Sequence, residues 1–130
     1  MISVRIPTDT NFNYSECKRL YEKYQKKIRD FSAFSDVVLN TFFYSFFNDD
    51  KFIGCIYYYH KRGKLFVNAV AERHTHLINL ECLKMSFDWF NCDIYAETKH
   101  KTAILCLYRL GFKKVGQKLY KKKLINLEKY

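Results

Sequence analysis

The sequence predicts a single α/β domain in which a mixed, mostly antiparallel sheet is flanked by helices, in the order β-α-β-β-β-α-β-α-β. Three observations carry this. The middle third, from Val37 to Ala71, is rich in β-branched and aromatic residues and is broken twice by turn residues, at Asn48 to Asp50 and Lys61 to Lys64. Apolar residues recur at helical spacing on both sides of that stretch. The whole is 130 residues with one Pro and four Gly, one domain's worth of chain with no linker composition.

Taken in order, Ile2, Val4 and Ile6 alternate with polar neighbours as a half-buried strand does, and Pro7 with Thr8, Asp9 and Thr10 ends it. From Ser15, the expected N-cap, to about Phe31, apolar residues at Cys17, Leu20, Tyr21, Tyr24 and Ile28 predict an amphipathic helix with a basic outer side. Ser32 to Asp36 reads as a polar connection. Three strands follow, Val37 to Phe47, Lys51 to His60 and Leu65 to Ala71, as an antiparallel meander. Leu77, Leu80, Leu83, Phe87 and Phe90 predict a helix over His74 to Phe90. A short strand, Asp93 to Ala96, a polar break and a helix, Thr102 to Leu110, come next. Gly111 stands where a left-handed cap is wanted. Beyond it, Phe112 to Leu124 alternates weakly amid six lysines, as an exposed edge strand or hairpin arm would.

Hydrophobic residues at 48% and aromatics at 18% exclude low-complexity disorder and predict an aromatic-rich core. Lys and Arg outnumber Asp and Glu by 23 to 13, a formal charge of +10 that attracts nucleic acid, an acidic partner or an anionic cofactor and equally serves solubility. The five cysteines are odd in number and have no CxxC spacing, so reduced, buried thiols in a cytoplasmic protein are expected. Neither a secretory signal nor an apolar run of membrane-spanning length is read in the chain. His74 and His76 beside Glu72 lack the third and fourth ligands that a zinc or iron site needs, so no metal is expected. Tyr57 to Tyr59, together with the basic tail, is the best sequence argument for nucleic acid.

The element order resembles that of the GNAT superfamily of N-acetyltransferases, with Tyr95, Ala96 and Glu97 leading into Thr102, Ala103 and Ile104 and then Leu107 to Phe112. Aligned on Gly111 and Phe112, the family's late-helix Asn falls on His100 and its general-acid Tyr on Leu107. Tyr108 is one position later, about 100° further round a helix. The family's Gly-rich pyrophosphate turn falls on Ala71 to Leu80, which contains no Gly; His76 and Ile78 occupy the glycine positions. The resemblance implies an enzyme that transfers acetyl from acetyl-CoA to an amine-bearing acceptor, protein or small molecule. On that reading the strand backbone at Val70 and Ala71 holds the pantetheine arm, and Arg73, His76, Leu77 and Ile78 form the pyrophosphate segment. His100 and Ala103 bring the late helix against the cofactor, Glu72 is the base candidate and Tyr108 the acid candidate. Two other readings stand beside it. One is a catalytically inactive GNAT-fold binding or structural protein, of a viral or phage type; the other is a basic nucleic-acid-binding protein.

Overall fold

Helix formation in this chain begins at Asn13, whose Oδ1 accepts from the Glu16 N–H at 3.1 Å and so satisfies one of the orphan donors of the first turn. The computed structural model describes residues 1–73 and 75–124. It contains β1 (Ile2–Arg5), α1 (Tyr14–Ile28), α2 (Phe34–Asn40), β2 (Phe42–Asn48), β3 (Lys51–Lys61), β4 (Lys64–Ala71), α3 (His76–Phe87), β5 (Ile94–Glu97), α4 (Lys101–Arg109), β6 (Lys113–Gly116) and β7 (Leu119–Lys122). The cap of α1 is thus Asn13 rather than the expected Ser15. Its other end is closed by Arg29 in the left-handed region, with φ 54°.

Two elements differ from the sequence-based expectation. The expected strand from Val37 is a helix over its first residues: Phe34 and Val37, one turn apart, are both buried against α1 and the sheet, and Thr41 Oγ1 closes the end by donating to the Val37 carbonyl at 2.7 Å. Burial of that pair outweighs the β preference of Val37 and Val38. The stretch Phe112 to Leu124, expected as one edge strand or hairpin arm, holds both arms of a hairpin, β6 and β7, turning at Lys118 with φ 59°. The inner arm, β7, pairs with β5, and lysine-bearing β6 forms the edge.

All seven strands make one sheet in the order β1-β2-β3-β4-β5-β7-β6, antiparallel except where β4 meets β5. One face carries α1 and α2, packed through Cys17, Leu20, Tyr21, Phe34 and Val37 onto Phe43, Tyr57 and Val70. The other carries α3 and α4, packed through Cys82, Leu83, Phe87, Ile104 and Leu107 onto Phe46, Ile56, Tyr58, Val67 and Tyr120. The end of α4 is a Schellman motif: Phe112 N–H donates to the Leu107 carbonyl at 2.9 Å and Gly111 N–H to that of Tyr108 at 3.1 Å. Gly111 has φ 93°, a conformation open to glycine at no steric cost.

The cysteines are all free: Cys17, Cys55 and Cys82 are buried, Cys106 half-buried and Cys92 exposed. Among the described residues no helix is long and apolar enough to cross a membrane.

One buried polar pair ties α3 to the sheet. Ser86 Oγ donates to the Leu83 carbonyl at 2.7 Å, which leaves it to accept from the Tyr58 hydroxyl at 2.5 Å. Both residues are fully buried. Ser86→Ala strands the tyrosine hydroxyl without a partner and is expected to destabilise by about 1–3 kcal/mol; Tyr58→Phe, which leaves the serine its carbonyl, by about 0.5–1.5 kcal/mol. Denaturant midpoints of the two variants check the order.

Candidate functional site

Among the described residues the only parallel ladder in the sheet is also the shortest: β4 and β5 pair at Leu65 with Ile94 and at Phe66 with Tyr95, and no further. Beyond these, Val67 to Ala71 continue against β3 alone, while Ala96 and Glu97 pair with β7. The two strands therefore diverge towards their C-terminal ends, leaving backbone donors and acceptors of β4 facing a gap.

A cavity of about 550 Å³ opens in that gap. Its walls are Val67 to Ala71 of β4, Tyr24, Lys27 and Ile28 of α1, Asn79, Leu80 and Leu83 of α3, and Thr102, Ala103, Cys106 and Leu107 of α4. Since α1 lies on one face of the sheet and α3 and α4 on the other, a cavity touching all three runs through the sheet from face to face.

Of the residues singled out from the sequence, Val70, Ala71, Glu72, Arg73, His100 and Ala103 all line this cavity. Leu77 and Ile78 do not: Leu77 is 64% exposed, and Ile78 packs its side chain into the core beneath α3. Tyr108 does not either. It is half-exposed with its ring edge-on to Tyr120 at 5.9 Å, while Leu107, the residue before it, faces the cavity. One residue of helix rotation accounts for the difference. His74, and the side chain of His76, lie outside the described residues.

The segment between β4 and α3 is a tight turn. Glu72 N–H donates to the Ile53 carbonyl at 2.7 Å, and the Glu72 carbonyl accepts both the N–H of Thr75, at 3.2 Å, and its hydroxyl, at 2.6 Å. Thr75 is the N-cap of α3, yet its hydroxyl is turned back and makes no capping bond. The N-cap of α4, His100, makes none either. Among the described residues no side chain caps the first N–H groups of either helix, where the helix dipole is positive, and Arg73 lines the same cavity.

Glu72 is ion-paired with Arg19 of α1, which also holds Glu16 at 3.0 Å. Hydrogen bonds to Glu16 and Glu72 raise the guanidinium above its ordinary value. On the same face a buried network surrounds Tyr57. Its hydroxyl donates to Asp30 Oδ2 at 2.7 Å and accepts from Asn68 Nδ2 at 3.1 Å. Burial and the Asp30 hydrogen bond both push the Tyr57 hydroxyl well up. Burial also pushes the Asp30 carboxyl up, but hydrogen bonds from Tyr57, Ser32 and Tyr21 together hold it below its ordinary value. A second cavity, about 370 Å³, is lined here by Asp30, Asp36, Asn40, Thr41 and Tyr59. It shares Ile28 and Asn68 with the first. Among the described residues no cluster of three metal-ligating side chains occurs.

Sequence reasoning missed Asn68, Asn79, Arg19 and the α1 wall. Asn68 and Asn79 carried a usable mark, each an amide set in an apolar strand or helix run. Asn79 is buried and its Oδ1 has no hydrogen-bond partner among the described residues.

No family model matches the chain, and no curated protein matches it in sequence. Solved structures do. An N-acetyltransferase from Staphylococcus aureus Mu50 superposes with a TM-score of 0.72 at 16% identity, over 97% of this chain and 99% of that one. Aminoglycoside 6'-acetyltransferase type Ii gives 0.70 at 16% identity, over 97% and 98%. Aminoglycoside acetyltransferase AAC(6')-Ib, in complex with coenzyme A and kanamycin, gives 0.67 at 12% identity, over 95% of each chain. With its seven strands, its parting of β4 from β5 and its helices on both faces, the chain has the fold of the GNAT superfamily of N-acetyltransferases.

Proposed function

We propose that this protein is an acetyl-CoA-dependent acetyltransferase acting on an amine. The observation that carries this reading is the cavity running through the sheet where β4 and β5 part, which lets a thioester on the α3 and α4 side meet an amine arriving from the α1 side. When bound, acetyl-CoA supplies an acyl carbon that an amine attacks and a thiolate that leaves.

The chain's own groups suit that cofactor. The free edge of β4 at Val70 and Ala71 presents backbone N–H and C=O groups to an amide-containing arm, as a neighbouring strand would. The uncapped start of α3 and Arg73 suit a diphosphate. Ile78, at one of the family's glycine positions, directs its side chain into the core, so it does not fill the turn where phosphates would lie. Leu107, Leu83 and Phe87 keep water from the reacting centre. Glu72 holds a carboxylate at the α1 side, where it can take the proton shed by an attacking amine once Arg19 yields an oxygen. With Leu107 where the family places its acid and Tyr108 outside the cavity, departure rests on the thiolate itself, which leaves readily because thiol pKa values lie near 8.5.

The missing acid also supports a second reading, a chain that binds the cofactor without turning it over. Calorimetry with acetyl-CoA, followed by detection of free thiol in the presence of polyamines, aminoglycosides or peptides, separates the two. Binding with thiol release supports the enzyme, binding alone supports the second reading, and no binding at millimolar cofactor overturns both.

A further inference from the structure

Between Thr98 and Leu124 the chain carries nine Lys and Arg and not one Asp or Glu, so most of the net charge of +10 sits on α4, β6 and β7. The strand registers place part of that charge in a specific row. Tyr59 of β3 pairs with Phe66 of β4, Phe66 with Tyr95 of β5, Tyr95 with Lys121 of β7, and Lys121 with Lys113 of β6. Residues directly opposite in a ladder share one face, so these five form a single line across five strands, about 19 Å long at the usual strand spacing. Lys61 and Lys64, paired with each other two residues along and so on the same face, flank it.

The line lies on the face that carries α1 and α2, but those helices pack on β2, β3 and β4. Among the described residues no helix packs over β5, β7 and β6 on that side. The rings adjoin along it at 5.7 Å in each pair, Tyr59 stacked on Phe66 and Phe66 tilted by 37° against Tyr95. Ammonium groups hover over them: Lys61 lies 5.4 Å from Phe66, and Lys64 and Lys121 lie 5.0 and 5.6 Å from Tyr95. Glu97 pairs with Lys61 and Asp93 with Lys121. Among the described residues, Lys64 and Lys113 have no carboxylate within salt-bridge distance.

We propose that this row is a docking surface for single-stranded nucleic acid. Phosphates replace the rings as partners of the lysine ammonium groups, and bases stack on what is exposed of the half-buried rings of Tyr59 and Tyr95. A duplex buries its bases and gains only the charge term. A second copy of the chain is disfavoured, since a two-fold contact would set Lys113 and Lys121 against their own kind. The inference is independent of the acetyl-transfer reading, because neither Tyr95 nor Lys113 lines the cavity.

The test is fluorescence anisotropy with a labelled single-stranded oligoribonucleotide of about a dozen residues, its duplex, and heparin. The single strand is expected to bind more tightly than the duplex, with affinity falling at least about tenfold between roughly 50 and 200 mM salt. Tyr95→Ala should weaken it about tenfold. Lys113→Glu, at an exposed position where folding is safe, should weaken it and flatten the salt dependence. No binding at the lower salt overturns the proposal. So does equal binding of heparin with Tyr95→Ala without effect, and so does a dimer, seen by sedimentation, that Lys113→Glu abolishes or strengthens while the oligonucleotide is ignored.

Discussion

Ala103→Trp is expected to weaken acetyl-CoA binding by at least about tenfold, equivalent to about 1.4 kcal/mol, with little change in the melting temperature of the ligand-free protein. Ala103 sits in the first turn of α4, half-buried, with its methyl on the cavity wall opposite β4. An indole there is directed at the cavity that Ala103 lines. It does take the volume that the arm of the cofactor needs between α4 and the edge of β4. The control is Leu105→Trp, on the same helix but 60% exposed and away from the cavity, which should leave binding as it was. Calorimetry of both variants settles the matter. Undiminished affinity in Ala103→Trp would place the cofactor elsewhere and sink the assignment of the cavity.

How much of this was legible in the sequence depended on how local the cause was. The end of α4 was, because a Schellman closure is made by neighbours: Gly111 supplies the left-handed residue and Phe112 the apolar anchor. The acid role offered to Tyr108 was not: the fixed angle between adjacent helix residues that sets Leu107 in the cavity turns Tyr108 out of it. The helix over Phe34 to Asn40 was not legible, because Val37 and Val38 favour strand locally and only contact with α1 and Phe43 decides otherwise. The α1 wall was hidden for the same reason: Tyr24 and Ile28 read as one apolar stripe, and nothing along the chain says that part of the stripe borders a cavity. The pairing of Glu72 with Arg19 spans 53 residues, and charge pattern alone has no means to select it.

Gly54 is the position where a single added carbon should do most harm. An isolated glycine inside a strand marks either a bulge or a close approach of backbones, and here both occur: the β2 to β3 register slips beside it, and a Cβ built on Gly54 would lie 2.3 Å from the Val70 carbonyl oxygen and 2.9 Å from Ala71 Cα. These obstacles are backbone atoms of β4, so they cannot turn aside as a side chain would. They are also the part of β4 that faces the cavity, held close to β3 by the Glu72 N–H bond to Ile53. Gly54→Ala must therefore push the end of β4 towards the gap or break its ladder with β3. The expected cost is about 1–3 kcal/mol or more, a fall in melting temperature of roughly 4 °C for each kcal/mol, together with loss of acetyl-CoA affinity. Gly116→Ala provides the comparison, because its Cβ would meet only Leu119 side-chain atoms at 3.5 and 3.6 Å, an ordinary contact, and it should change neither quantity measurably. If Gly54→Ala melted with the parent protein, the close approach of β3 and β4 would not exist in solution, and the parting of β4 from β5 would need another cause.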